Sequence, residues 1–168
     1  MRYTLCTIVD RGYLYRGLAL YQSLVDHCAE FTLWVLCMDD AAYSLLERMR
    51  LDNVRLVKLE EFEDDDLRTA GQGRSMLEYC CTCKAPWVLH VMENDPGATH
   101  VMYLDGDIMF FGDPQPVYDE LGENSVLVFP HRYAPEYRAS EAVSGPYNAG
   151  QLMFRNDANA VECLTWWR

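Results

Sequence analysis

Basic residues are scarce in this chain: 14 lysines and arginines face 26 acidic residues, for a formal net charge of −12. A nucleic-acid-binding surface needs a basic patch to neutralise phosphates, so that class is excluded. The same deficit sits awkwardly with an anionic nucleotide ligand unless a cation or a local basic cluster offsets the field. Long apolar runs are missing as well, and none approaches the roughly 20 residues of a membrane span. There is no second cysteine pair to accompany Cys80, Cys81 and Cys83, whose spacing is tighter than a C-x2-C knuckle. Buried or half-buried thiols account for that cluster better than zinc. The remaining cysteines, Cys6, Cys28, Cys37 and Cys163, bring the total to an odd seven, several in apolar runs. With no secretory signal read at the start, the expectation is reduced thiols in the cytoplasm. Linkers, internal repeats and low-complexity segments are lacking too, which predicts one domain over residues 1–168.

What is present suffices for a core: half of the 168 residues are hydrophobic. Short apolar runs alternate with segments of helical period, which predicts an α/β fold with a mostly parallel sheet flanked by helices. Strands are expected at 3–9, 31–38, 54–59 and 100–104, with shorter ones at 125–130 and 151–155. Helices are expected at 14–25, from Asp39 or Asp40 to about Arg50, and from Thr82 to Glu93 with Pro86 in its first turn. The acidic run 60–66 reads as a solvated helix start. It lacks the glycine turn and alternating ligands of a calcium loop. The opening Met1-Arg2-Tyr3 reads as an authentic start. Residues 157–168 read as a helix still in progress, which predicts that the chain is truncated at its C-terminus.

The segment that carries chemistry runs from His100 to Phe111, with Asp105-Gly106-Asp107 directly after an apolar strand. Ligands of open α/β sheets bind beyond the carboxyl ends of strands, which is where these acids fall. An extended backbone would send the two side chains to opposite faces. Gly106 permits a turn that lets both converge on one cation. Hard carboxylate oxygens together with phosphate oxygens suit Mg²⁺ or Mn²⁺. The competing reading is ordinary turn chemistry, since Asp-Gly favours turns.

Four segments in order resemble the GT-A nucleotide-diphospho-sugar transferases, closest to glycosyltransferase family eight, which includes glycogenin and lipopolysaccharide galactosyltransferases. They are the opening TLCTIVDRGYLYRGLALYQSL, the Thr82-Cys83-Lys84 start of a helix, YLDGDIMFFGDP, and Tyr147-Asn148-Ala149-Gly150. The resemblance implies a GT-A (Rossmann-like) fold and a metal-dependent hexosyltransferase that moves a sugar from a nucleotide donor, a UDP-sugar, to an acceptor hydroxyl with retention of configuration. Polysaccharide biosynthesis is the setting it suggests, with a glycan, lipid or protein as acceptor. Asp105 and Asp107 would hold Mn²⁺ or Mg²⁺, with Gly106 beside the donor. Thr7, Ile8 and Val9 would form the uracil-side rim, with Tyr13 over the base; Tyr13 reads equally as a core aromatic. Asp10 would touch the nucleoside or cap the first helix. Lys84 would assist the departing diphosphate, and Arg74, in a loop without the G-K-[ST] ending of a P-loop, is a second phosphate candidate. Asn148, Ala149 and Gly150 would border the donor sugar, with Gln151 under the anomeric carbon or merely starting a strand. His131 reads as a surface residue.

The resemblance also implies a third metal ligand, a late histidine in an H-x-x-G-x-x-K-P-W-like segment, for which this sequence has no counterpart. Low transfer activity is therefore expected of residues 1–168 alone. Two alternatives stand beside the transferase. One is a non-catalytic nucleotide-sugar-binding domain. The other is a haloacid-dehalogenase-type phosphatase, because LDGDIMF is similar to its D-x-D strand, although that strand usually opens the chain.

Overall fold

The computed structural model describes residues 2–168. In chain order the elements are β1 (Tyr3–Val9), α1 (Leu14–His27), β2 (Phe31–Cys37), α2 (Asp40–Met49), β3 (Val54–Lys58), α3 (Leu59–Phe62), α4 (Asp65–Gly71) and α5 (Met76–Asn94). They are followed by β4 (His100–Leu104), α6 (Gln115–Leu121), β5 (Val126–Pro130), a 3-10 turn (Pro135–Ser140), α7 (Glu141–Ser144), β6 (Tyr147–Arg155) and α8 (Ala158–Trp167). Six strands form one sheet in the order β3-β2-β1-β4-β6-β5. Neighbours among β3, β2, β1 and β4 run parallel, and β6 runs against both β4 and β5.

Strand side chains alternate between two cores, as period-two geometry requires. Cys6, Ile8, Trp34, Leu36, Tyr103 and Phe154 face α5 and α8. Leu5, Val9, Leu33, Val35, Met102 and Met153 face α1, α2 and α6. Strands covered on both sides read as near-continuous apolar runs, and β1 and β2 are buried along their whole length. The seven cysteines are free thiols. Among the described residues no helix is long and apolar enough to cross a membrane.

Local chemistry moves several boundaries from where periodicity puts them. Helix α5 starts at Met76, not Thr82, because Ser75 and Glu78 form a capping box: Ser75 Oγ accepts from the Glu78 N–H, and the Glu78 carboxylate accepts from the Ser75 N–H at 2.8 Å. Pro86 consequently lies in the middle of α5, and its ring is buried in the core. The acidic run is divided between two short helices, with Asp64 capping α4 through the Leu67 N–H at 2.8 Å. Strand β6 begins at Tyr147, four residues before its expected start, and takes in the whole Asn148-Ala149-Gly150 segment.

A buried carboxylate secures the far end of α5. Asp95 is 2% exposed and accepts from the Arg2 guanidinium at 2.6 Å. Burial works to raise its carboxyl, but Arg2, the Trp34 indole and the Gly97 N–H outweigh it and hold the group below its ordinary value. A depressed folded value contributes stability above the ordinary aspartate range and loses it as pH falls through the lowered value. Asp95→Asn is therefore expected to cost roughly 1 kcal/mol at neutral pH, discounted for the partly exposed Arg2. Urea denaturation of both proteins from pH 7 to pH 3 checks this, and the gap should begin to narrow below about pH 4.

Candidate active site

Strand order reverses direction between β1 and β4, with β2 and β3 laid to one side and β6 and β5 to the other. Such a switch point opens a crevice at the carboxyl ends of the two central strands. A cleft of about 360 Å³ occupies it. The end of β1 supplies Ile8, Asp10 and Tyr13, and the end of β4 supplies Tyr103, Asp105, Gly106 and Asp107. The N-terminal half of α5 closes the third side with Met76, Leu77, Cys80, Cys81 and Lys84.

Both carboxylates reach the cleft because the chain turns at Asp105, whose carbonyl accepts from the Ile108 N–H at 3.0 Å. Gly106 is buried here, but an added Cβ would meet only ordinary contacts, the nearest at 3.6 Å from Val9 Cγ1. The tight glycine is Gly150 on β6. A Cβ there would lie 2.9 Å from Asp105 Oδ2 and 2.9 Å from Asn148 Oδ1. Its carbonyl accepts from the Asp105 N–H at 2.7 Å, which ties the Asn-Ala-Gly segment to the Asp-Gly-Asp turn. A register shift between Val128 and Phe129 of β5 leaves residues 149–151 unpaired on that side, free to follow β4.

Lys84 is a buried cation, with its side chain 9% exposed. Its Nζ donates to Asp105 Oδ1 at 2.8 Å and to the Ala149 carbonyl at 3.0 Å, and lies 5.0 Å from the centre of the Tyr103 ring. The Tyr103 hydroxyl donates to the same Asp105 Oδ1 at 2.8 Å. Burial first, and the Asp105 charge second, push that phenol well above its ordinary value. Burial and the nearby Asp10 push the Cys80 thiol up to about 11, so it stays protonated.

Asp107 is half exposed, and its Oδ2 lies 3.4 Å from Arg16 NH1. Arg16 is a residue that the sequence reading missed. It stacks on Tyr13, with 4.6 Å between its guanidinium carbon and the ring centre, and donates from Nε to the Tyr15 hydroxyl at 2.8 Å. A cation at the first turn of a helix next to two tyrosines was the available signal. Among the described residues no group of three or more His, Cys, Asp or Glu side chains converges, and Asp105 and Asp107 both line the cleft.

The structure sorts the remaining candidates. Tyr13 is 44% exposed on the cleft wall and is not a core aromatic. Asp10 lines the cleft and accepts from the Tyr13 N–H at 2.7 Å in the turn that precedes α1; it is not the cap of that helix, whose N-cap is Tyr13 without a side-chain bond. Of Thr7, Ile8 and Val9, the residues expected to form a rim, Ile8 lines this cleft and the other two do not. By strand alternation, Thr7 and Val9 point to the opposite face, against α1, where the buried Thr7 hydroxyl has no hydrogen-bond partner among the described residues. Arg74 is drawn aside by a bond to Thr82 Oγ1 and lines a separate cleft with Glu63, Arg68 and Tyr79. Asn148 turns its Oδ1 onto the Gly150 N–H at 2.6 Å. Gln151 is half-buried, paired in register with Leu104, with its amide nitrogen 3.8 Å from Met102 Sδ. His131 stacks on Tyr133 at 3.9 Å in the exposed connection that leaves β5, and it does not line the cleft.

No protein-family model matches the chain. Two curated Bacillus subtilis (strain 168) proteins do, both uncharacterised: YfnD is 34% identical over 162 residues, covering 96% of this chain and 52% of its own length. YfnF is 30% identical over 169 residues, covering 97% of this chain and 56% of its own length. The chain thus spans about half the length of the curated relatives it matches. Among solved structures, the galactosyltransferase LgtC, in complex with donor and acceptor sugar analogues, superposes with a TM-score of 0.60 at 17% identity, covering 91% of this chain and 58% of LgtC. The glycosyltransferase GlyE of Streptococcus pneumoniae TIGR4 gives 0.58 at 17% identity, covering 99% of this chain and 37% of GlyE. This is the GT-A fold. A mannosyltransferase of Pyrobaculum calidifontis, in complex with GDP-Man and Mn²⁺, shares it with a TM-score of 0.53 at 13% identity, covering 92% of this chain and 44% of its own. At such identities the likeness speaks for the GT-A fold and not for the chemistry performed on it.

Proposed function

We propose that residues 1–168 are the nucleotide-sugar-binding domain of a glycosyltransferase that moves a sugar from a UDP-sugar to an acceptor hydroxyl. The observation that carries this reading is the convergence of Asp105 and Asp107 on one cleft at the switch point, between the exposed Tyr13 ring and the buried Lys84 ammonium. Tyr13 offers a stacking face for a base, and Ile8 an apolar edge beneath it. Asp105 and Asp107 are the residues that would hold a divalent cation. Their fit is chemical: Asp105 Oδ2 and the loosely paired Asp107 carboxylate are hard oxygens, and two of them leave coordination positions for a diphosphate and water. Bound Mn²⁺ or Mg²⁺ would neutralise charge on the departing diphosphate. The carboxylates themselves fix where that diphosphate lies, and Gly150 lets the donor approach the β6 backbone closely. Asn148 and Gln151 then border the sugar. The acceptor oxygen bonds to the anomeric carbon as the bond to the β-phosphate oxygen breaks, the hydroxyl proton leaves on the departing diphosphate, and configuration is retained. Free thiols suit a reducing compartment, which supports a cytoplasmic reading.

The test is UDP release by the full-length protein from a panel of UDP-sugars, with Mn²⁺ or with EDTA. Release from at least one sugar, lost in EDTA, supports the proposal. Metal-dependent binding without release from any of them would make this a non-catalytic binder. Phosphate release from a generic ester, with no nucleotide requirement, would overturn the proposal in favour of a phosphatase.

A further inference from the structure

Tyr103 is 2% exposed, in register with Cys6 on one side and Leu152 on the other, among apolar neighbours facing α5. A phenylalanine would fill the same volume without burying a hydroxyl, which costs free energy unless it finds a partner. The hydroxyl finds one partner, Asp105 Oδ1 at 2.8 Å. The two residues are two apart on an extended strand end, so their side chains share a face and the phenol lies directly beneath the carboxylate. Lys84 closes on the same oxygen at 2.8 Å from the α5 side. Gly150 leaves space at the other oxygen, where a Cβ would sit 2.9 Å from Oδ2. One oxygen of Asp105 is thus saturated by two donors, and the other is kept clear.

We infer that Tyr103 is a positioning residue for the proposed cation site: together with Lys84 it holds Asp105 Oδ1, so that Oδ2 is the oxygen presented to the metal. This rests on the donor-binding reading above. Outer-shell partners of ligating groups set ligand orientation, and losing one typically costs 10–100-fold in metal affinity. Tyr103→Phe keeps the packing and removes the hydrogen bond. The lower end of that range is expected, about tenfold, because Lys84 still holds Oδ1.

The experiment measures Mn²⁺ affinity in saturating UDP by electron paramagnetic resonance, alongside metal-free uridine binding and thermal melting. Tyr103→Phe should weaken Mn²⁺ by about tenfold while uridine affinity and the melting transition stay as in the wild type. Gly150→Ala, which crowds Oδ2 from the opposite side, should weaken Mn²⁺ in the same selective way. Unchanged Mn²⁺ affinity in Tyr103→Phe would overturn the inference. A parallel loss of uridine binding or of cooperative melting would do so as well, since it would make Tyr103 a packing residue. A wild type that binds no Mn²⁺ in the presence of UDP would instead sink the donor-binding reading itself.

Discussion

Asp107→Ala is expected to remove divalent-dependent UDP binding almost entirely while leaving the fold intact. The side chain is half exposed, and among the described residues its one partner is the Arg16 guanidinium at 3.4 Å, long for a hydrogen bond. A partly exposed pair of that geometry contributes little to stability, so the melting free energy should move by less than about 0.5 kcal/mol. Binding is another matter. With two carboxylates at the proposed cation site, deleting one removes half of the protein's oxygen donors. The loss should exceed the roughly 100-fold upper range seen for outer-shell partners. Calorimetry with UDP and Mn²⁺, alongside a thermal melt, separates the two effects. An Asp107→Ala protein that keeps wild-type metal dependence would remove Asp107 from the site.

Lys84→Met should produce the largest combined effect on stability and binding. The ammonium is buried and donates to Asp105 Oδ1 and to the Ala149 carbonyl, so it links α5 to both β4 and β6. Methionine matches its length but leaves a carboxylate facing an apolar side chain. Breaking a fully buried pair by removing one partner costs about 3–5 kcal/mol. Asp105 retains 38% exposure and can recover some solvation, which brings the expected cost to about 2 kcal/mol. Donor binding should weaken through the freed Asp105 rather than through a lost phosphate contact, because the Lys84 ammonium is engaged by Asp105 Oδ1 and the Ala149 carbonyl. The distinguishing measurement compares Mn²⁺ affinity with metal-free uridine affinity in Lys84→Met, using urea titration for stability. A stability change near zero would contradict the buried-pair account.

Much of the fold was legible because β1 and β2 are buried on both faces and therefore announce themselves as unbroken apolar runs. The Asp-Gly-Asp segment was legible for a related reason: two acids directly after an apolar strand fall where open sheets bind ligands. What could not be read came from interactions between distant parts of the chain. The start of α5 is the exception: it depends on a local capping box that opens at Ser75, seven residues before the expected start at Thr82, and its signal, Ser-x-x-Glu, was in the sequence. The β6 bulge was hidden, since which residues of a strand go unpaired is decided by its neighbour's register. Gly106 drew the attention that Gly150 warranted. Their difference lies in what surrounds each Cβ position, and no spacing rule reports it. Lys84, expected to assist a departing diphosphate, lines the cleft with Asp105 as its partner, 21 positions along the chain. Thr7 and Val9 were lost to strand alternation, which a run of seven buried residues conceals.

The central claim is that the β1/β4 crevice binds a nucleoside diphosphate through a cation held by Asp105 and Asp107. Isothermal titration of the full-length protein with UDP, with Mn²⁺ and after chelation, tests it most directly. The expected result is saturable one-to-one binding with Mn²⁺, weaker by at least about 100-fold once the metal is withdrawn. Absence of binding under both conditions, or equal affinity in both, would contradict it.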